Sequence, residues 1–483
     1  MQGTPVFRAR CQPLKIKAGE KNMKQAAAMS PTTRAMLGFA ADWPLTKKVT
    51  TIQNFLANDY FHADGIMYCM WHWRGDELRP YRPEDFEGQQ PFQKDTFSAI
   101  GHMHGENSTY TSGIFLWSQC LRYQVTRDPQ ALEFAARAFR SIDLIFRLTE
   151  STPDVGFLCK PYDWKVSHES SPDQQYGVIM GLWLYRDLCE PATKERVDYI
   201  LVSIAKWWLS RDYKLAFFGG GAGSWLAHIP QYGPMFALMM HLAWRVSQDT
   251  TYLDECRRIL ELCGPWRTVY DELRRQRQAG TDAWTWPKHL YGCEYDPARR
   301  PWLLADWETR APMWFVAGPA EYFLQTDLVN HHLLRHAIGR LYRYEQFGLR
   351  DDLLQLYIEQ VDLERDLWRP LISPRSETTI NADHLDFHFM TYWSEVCMGD
   401  AALRLIDTCL MAHQQAYEFS PGALSLAQRL LARLDAERLR WMIDPDGKQL
   451  LPPDHYMKYS LSSEIALVLI AYWRARLNGI SLE

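Results

Sequence analysis

Several short stretches of the chain bring carboxylates, imidazoles and amides close enough together for acid/base chemistry. The sharpest runs from Ser167 through His168, Glu169, Ser170, Ser171, Pro172, Asp173, Gln174, Gln175 and Tyr176 to Gly177, and leads into the apolar run Val178 to Tyr185. Ser171 followed by Pro172 reads as a helix start, so Asp173, Gln174 and Tyr176 stand at the mouth of a helix that carries only hydrocarbon further in. A second stretch, His102 to Tyr110, holds His104, Glu106 and Tyr110 before another apolar helix. Glu106 and Asp173 form the candidate catalytic pair, with His168 and Glu169 beside them. Two carboxylates about 5 to 10 Å apart suit glycosidic chemistry, one protonating the departing atom while the other orients water. Taken singly, Asp173 also reads as a first-turn acid complementing the helix dipole, and Glu106 as a capping or loop charge.

Other loops carry residues suited to holding a ligand. Phe217 to Tyr232 contains a glycine run followed by Trp225, His228 and Tyr232; it lacks the Lys and Ser/Thr of a phosphate loop, which argues against nucleotide binding. Trp284, Trp286 and His289, then Asp306, Glu308 and Arg310, make a wall for a sugar and a carboxylate, with Arg310 placed for bidentate recognition. His384, Asp386 and His388 alternate; hydrogen-bonded loop histidines are the expectation there, and no metal or cofactor is expected. Trp164, ahead of the first stretch, completes the expected substrate contacts, which also include His104, Tyr110, Gln174, Tyr176, His384 and His388.

The elements that must position these residues are paired helices. Asn107 to Thr126 precedes Gln130 to Leu148, Ser171 to Cys189 precedes Ala192 to Ser210, and Pro230 to Ser247 precedes Thr251 to about Arg274. A fourth pair spans Arg310 to Gln325 and Leu328 to Glu345, with Asp351 to Trp368 read as an added helix. Hairpins from His388 to Gln414 and Ala423 to Ile443 follow, and Ser460 to Leu477 closes the set. In each pair the first helix is apolar nearly all round and the second amphipathic, which assigns an inner and an outer ring. Turns within pairs are tight and loops between pairs are long, which places the variable chemistry on one rim. An echo, Gln175-Tyr176-Gly177 and Gln231-Tyr232-Gly233, opens two inner helices. The expected fold is all-α, an (α/α)6 or (α/α)7 barrel, rather than an open solenoid. Residues 1–45 read as an N-terminal arm and 46–483 as one barrel domain. Asp64 to Asp76 is expected to be an extended segment or hairpin, and Glu77 to Asp95 a loop.

Bulk properties exclude some functions. The 483 residues carry a net charge of -5, which gives no electrostatic footprint for nucleic acid. No apolar run is long enough to span a bilayer, and the N-terminus lacks a secretory signal pattern. The 10 cysteines are scattered without metal-site spacing, so buried free thiols and a cytoplasmic protein are expected. With 20 Trp and 24 Tyr, aromatics are plentiful enough to line a carbohydrate cleft as well as a core.

In layout, residues from about 100 to 250 resemble the alpha,alpha-toroid carbohydrate-active enzymes, and among them the unsaturated glucuronyl and rhamnogalacturonyl hydrolases. The resemblance rests on Ser108 to Leu116 before an inner helix, the Thr126-Arg127-Asp128-Pro129 turn, and the acid in Ser171-Pro172-Asp173. It implies acids at consecutive inner helices, one protonating an enol ether carbon and activating water. By position these are Asp173 and Glu106, although the first acid here is a glutamate that precedes its helix. The rim histidines also bring in the sugar 2-epimerases and polysaccharide lyases of the same barrel class, and for a lyase the base would be His168, Tyr232 or His228. The resulting expectation is a hydrolase of uronic-acid-containing oligosaccharides, with lyase, epimerase and noncatalytic scaffold as alternatives.

Overall fold

The structure is a computed structural model that describes residues 29–86, 97–216, 222–224, 229–263, 303–305, 313–346, 349–350, 355–356, 359–362, 367–370, 397–416, 421–440, 442–443 and 456–483. The described chain is mostly helical, with short antiparallel strands. In chain order the helices are α1 (Pro31–Leu37), α2 (Leu45–Asn58), α3 (Ala99–Gly105), α4 (Ser108–Thr126), α5 (Pro129–Glu150), α6 (Pro172–Tyr185) and α7 (Pro191–Ser210). They continue with α8 (Ile229–Ser247), α9 (Thr250–Cys263), α10 (Met313–Phe323), α11 (His331–Gln346), α12 (Gly399–Gln415), α13 (Ala423–Ala432) and α14 (Ala466–Leu477).

Local chemistry sets the boundaries of the pairs. Arg127 ends α4 in the left-handed conformation, and Asp128 caps α5, its carboxylate accepting from Gln130 N at 3.0 Å with Pro129 in the first turn. Helix α5 buries Ala131, Ala135, Ala138, Ile142, Ile145 and Phe146 and leaves its other side to solvent, as its amphipathic pattern requires. By contrast, α4 buries every residue from Ser108 to Arg122. The expected contrast between an apolar and an amphipathic partner therefore holds for this pair.

Glycines decide how closely the buried helices approach. A Cβ on Gly113 of α4 would lie 2.3 Å from Val178 N of α6, and one on Gly181 of α6 would lie 2.6 Å from the Gly113 carbonyl. Helices α4 and α6 therefore meet backbone to backbone, closer than any larger residue permits. Helix α4 also packs on α14, α6 meets α8, α8 meets α10, α10 meets α12, and α12 meets α14. Trp314 and Phe315 of α10 reach Tyr110 and Tyr176 edge-on, and Trp117 stacks on Trp314 at 5.6 Å. Beside these rings Arg474 of α14 donates to both oxygens of Asp407 on α12, at 2.6 and 3.2 Å, and to Glu321 of α10; Trp314 Nε1 donates to Asp407 at 2.8 Å.

The hairpin expected between Asp64 and Asp76 is present but extends further. Strand Met70–Arg74 pairs with Glu77–Pro80 across a two-residue turn with Gly75 at φ 60°, and on its other edge with Ser460–Ser462. The start of the expected loop at Glu77 is thus a strand, recruited by its neighbour. The helix expected from Asp351 to Trp368 is corrected more fully. Glu359–Asp362 is a strand that pairs with Leu367–Pro370 and with Leu303–Ala305. The Leu, Tyr, Ile and Val of the 351–368 stretch satisfy a strand as well as a helix, and the distant partner at 303–305 settles the choice. Within the expected N-terminal arm, Pro31–Leu37 forms α1 and packs on α2. Seven described cysteines are free thiols and all but Cys189 are buried, as their scatter suggests. Among the described residues no helix is long and apolar enough to cross a membrane.

Candidate functional site

The mouths of α4 and α6 are neighbours because their helices touch, and the loop 157–170 lies against both. Ser98 caps α3, its hydroxyl accepting from Gly101 N at 2.9 Å. Gly101 and Gly105 present a bare face to Pro161, Tyr162 and Asp163, where a Cβ on Gly105 would stand 2.7 Å from the Pro161 carbonyl. Asp163 accepts from Ser98 N at 2.9 Å and from the Ser98 hydroxyl. Asp163 and Trp164 both sit at positive φ, 50° and 59°. Two successive non-glycine residues in that region store strain, which the Asp163–Ser98 contacts hold in place.

Within this frame Lys160 is buried to 3% exposure, and its ammonium donates to Glu106 Oε1. The Tyr162 hydroxyl donates to Glu106 Oε2 and lies 3.3 Å from Glu169 Oε2, while His102 Nδ1 stands 3.2 Å from Glu106 Oε2. Burial pulls the Lys160 amine down, but the charges of Glu106, Asp173 and Glu169 together with the Glu106 hydrogen bond hold it above its ordinary value. Lys160 is therefore a fixed cation among three carboxylates and is unsuited to act as a nucleophile. Burial, followed by the charges of Glu106 and Glu169, pushes the Tyr162 hydroxyl well above the usual phenol range.

Helix α6 starts at Pro172 after Ser171, as its sequence indicates, and Asp173 is half-buried in its first turn. Gln174 ties the two mouths together. Its Nε2 donates to Asn107 Oδ1 at 2.6 Å and lies 3.3 Å from Asp173 Oδ2, and its Oε1 accepts from Tyr110 N at 3.2 Å. The loop ahead of α6 is closed by Lys160 N donating to the Glu169 carbonyl at 2.8 Å and by the Ser170 hydroxyl donating to the Leu158 carbonyl at 2.6 Å.

An aromatic group adjoins this cluster. Trp164 lies 4.5 Å from His62, 5.8 Å from Tyr68 and 6.1 Å from His104, the last ring nearly parallel to it. Burial, and after it the nearby His62, lowers His104 to about 4, so its imidazole is neutral near pH 7. His104 Nε2 is buried without a hydrogen-bond partner among the described residues.

Of the residues singled out by sequence, Glu106 is bonded to Lys160 and shares the Tyr162 hydroxyl with Glu169, Asp173 and Gln174 adjoin at the start of α6, and His104 and Trp164 form the aromatic group. Tyr110 and Tyr176 are enclosed in the core, against Trp314 and Phe315. Tyr232 is buried on α8 and His168 is exposed. Trp225, His228, Trp284, Trp286, His289, Asp306, Glu308, Arg310, His384 and His388 lie outside the described residues. Among the described residues no cluster of His, Cys, Asp or Glu is arranged to hold a metal ion. Lys160, Tyr162, His102 and Asn107 lie in or beside the stretches singled out by sequence but carry no role there. The signal for Lys160 was a lone charge in Phe157-Leu158-Cys159-Lys160-Pro161-Tyr162, an apolar setting in which a lysine is seldom buried unless paired. Comparison with known proteins finds no matching family model, no matching curated protein and no matching solved structure.

Proposed function

We propose that the chain is a glycoside hydrolase built as an (α/α)6 toroid, acting on uronic-acid-containing oligosaccharides at the rim where α4 and α6 begin. The circuit of contacts from α4 through α6, α8, α10, α12 and α14 back to α4 supports the ring, with α5, α7, α9, α11, α13 and α2 as outer partners. The observation that carries the activity is the gathering of Glu106, Glu169 and Asp173 about one buried ammonium at adjoining helix mouths. Such a group supplies a carboxyl to protonate a departing oxygen and a carboxylate to take a proton from water. Asp173 is assigned to this work because it is half-buried in the first turn of α6, where its charge acts on the buried Lys160.

Purified protein is incubated with saturated and unsaturated uronate oligosaccharides while the enol ether absorbance is followed. Loss of the band marks hydrolysis of unsaturated sugars, gain marks a lyase, and interconversion of sugars without either marks an epimerase. Asp173→Asn is expected to lower turnover by about 10²-fold or more. Unchanged turnover in that variant, or no reaction with any sugar, refutes the assignment and leaves a noncatalytic scaffold.

A further inference from the structure

We propose that residues 161–165 form a strap that acid releases from α3, with His104 as the group that takes up the proton. Asp163 and Trp164 stand in succession at φ 50° and 59°, a region that non-glycine residues rarely occupy, so the strap rests in a conformation that it leaves when its ties loosen. Asp163 accepts from Ser98 N at 2.9 Å and from the Ser98 hydroxyl. Trp164 N donates to the Pro161 carbonyl and Lys165 N to the Tyr162 carbonyl, both at 3.0 Å. The Trp164 ring lies against His62 and His104. Lys165 is exposed and Asp163 and Trp164 are half-buried, whereas His104 and Tyr68 are buried.

His104 stands in the last turn of α3 with Nε2 buried and without a hydrogen-bond partner among the described residues, its ring 4.8 Å from Tyr68. It faces His62 and Tyr68 from the chain ahead of the first strand, Asp163 and Trp164 from the strap, and the Tyr81 backbone from beyond the hairpin. His62 Nδ1 in turn stands 3.0 Å from Asp64 Oδ2. The Tyr81 backbone and Asp163 favour a charged His104, but burial and then His62 oppose it and prevail. Protonation would place a second N–H and a charge in an enclosed space lined by rings, so water has to reach the imidazole. Helix α3 is tied there by Cys69 N, which donates to the His104 carbonyl at 2.8 Å. The strained strap is the element that yields at the least cost.

Tyr162 belongs to the strap, and its hydroxyl donates to Glu106. Release draws that donor away from Glu106, which couples the candidate site to pH; the switch itself is a property of the fold and stands apart from the hydrolase reading. With His104 titrating at about 4 beneath the closed strap and at 6.5 once solvated, the open population rises by about 20-fold between pH 7 and pH 5. His62, which burial also holds below its ordinary value, adds in the same direction.

Hydrogen exchange of the full-length chain tests this, read by mass spectrometry on peptides spanning residues 162–165 and on peptides within α4 and α6, at pH 7 and pH 5 after correction for the intrinsic pH dependence of exchange. The wild-type strap is expected to lose about 20-fold or more in protection between the two, while α4 and α6 keep theirs. His104→Phe retains a ring that cannot titrate and is expected to remove most of that loss. Should it fail to fold, His104→Gln takes its place with the same expectation. Constant protection of the wild-type strap, an equal loss in α4 and α6, or an undiminished loss in a folded His104 variant overturns the proposal.

Discussion

Gly113→Ala probes the contact on which the candidate site depends. The added Cβ would stand 2.3 Å from Val178 N and 2.4 Å from the Gly177 carbonyl carbon, whereas ordinary contact begins near 3.4 Å. Helices α4 and α6 must therefore separate by about 1 Å, and backbone rather than a flexible side chain has to move. Alanine in place of glycine within a helix favours folding by about 1 kcal/mol, while overpacking of a tight interface costs about 3 kcal/mol or more. The balance is a destabilisation of about 2 kcal/mol, read as a fall in the urea midpoint followed by far-UV circular dichroism. Gly181→Ala meets the Gly113 carbonyl at 2.6 Å and should behave alike. Because one separation of the helices relieves both clashes, the double variant should lose less than the sum of the singles. A Gly113→Ala protein as stable as the wild type, or more stable, would show that α4 and α6 do not meet backbone to backbone.

Two further outcomes follow from buried charge. Arg474→Met leaves Asp407 and Glu321 facing each other without their cation and should cost about 3–5 kcal/mol, and also replacing both acids by their amides should recover most of it. An unchanged urea midpoint in the single variant would refute the network. His104 titrates near 4 in the fold against 6.5 when free, so the unfolded chain takes up a proton that the fold refuses. Stability is fully present above about pH 6.5 and is lost as pH falls towards 4, by up to about 3 kcal/mol. His104→Phe should remove that acid-side loss in urea midpoints measured from pH 7 to 4, and identical pH profiles for the two proteins would refute it.

Much of this was legible in the residues. The start of α6 at Ser171-Pro172, the turn Arg127-Asp128-Pro129 and the amphipathic face of α5 are local effects of capping, fixed φ and periodicity. That α4 and α6 open side by side was legible as a juxtaposition of helix mouths. What local pattern does not show depends on distant partners: Asp351 to Trp368 reads as helix because its apolar residues fit both periods, and pairing with Leu303–Ala305 makes Glu359–Asp362 a strand. The burial of Lys160 is not legible locally because its partner Glu106 lies 54 positions away.

The sequence by itself determined where helices begin, which of their faces avoid water, and which acids stand at their mouths, because hydrogen-bond capping and side-chain periodicity act over a few residues. Only the tertiary structure decided that both oxygens of Glu106 are taken up by Lys160 and Tyr162, and that Tyr110 and Tyr176 turn into the core. Those outcomes rest on the close approach permitted by Gly113, Gly177 and Gly181 and on charges compensated across long separations in the chain, and both exist only once the helices have packed.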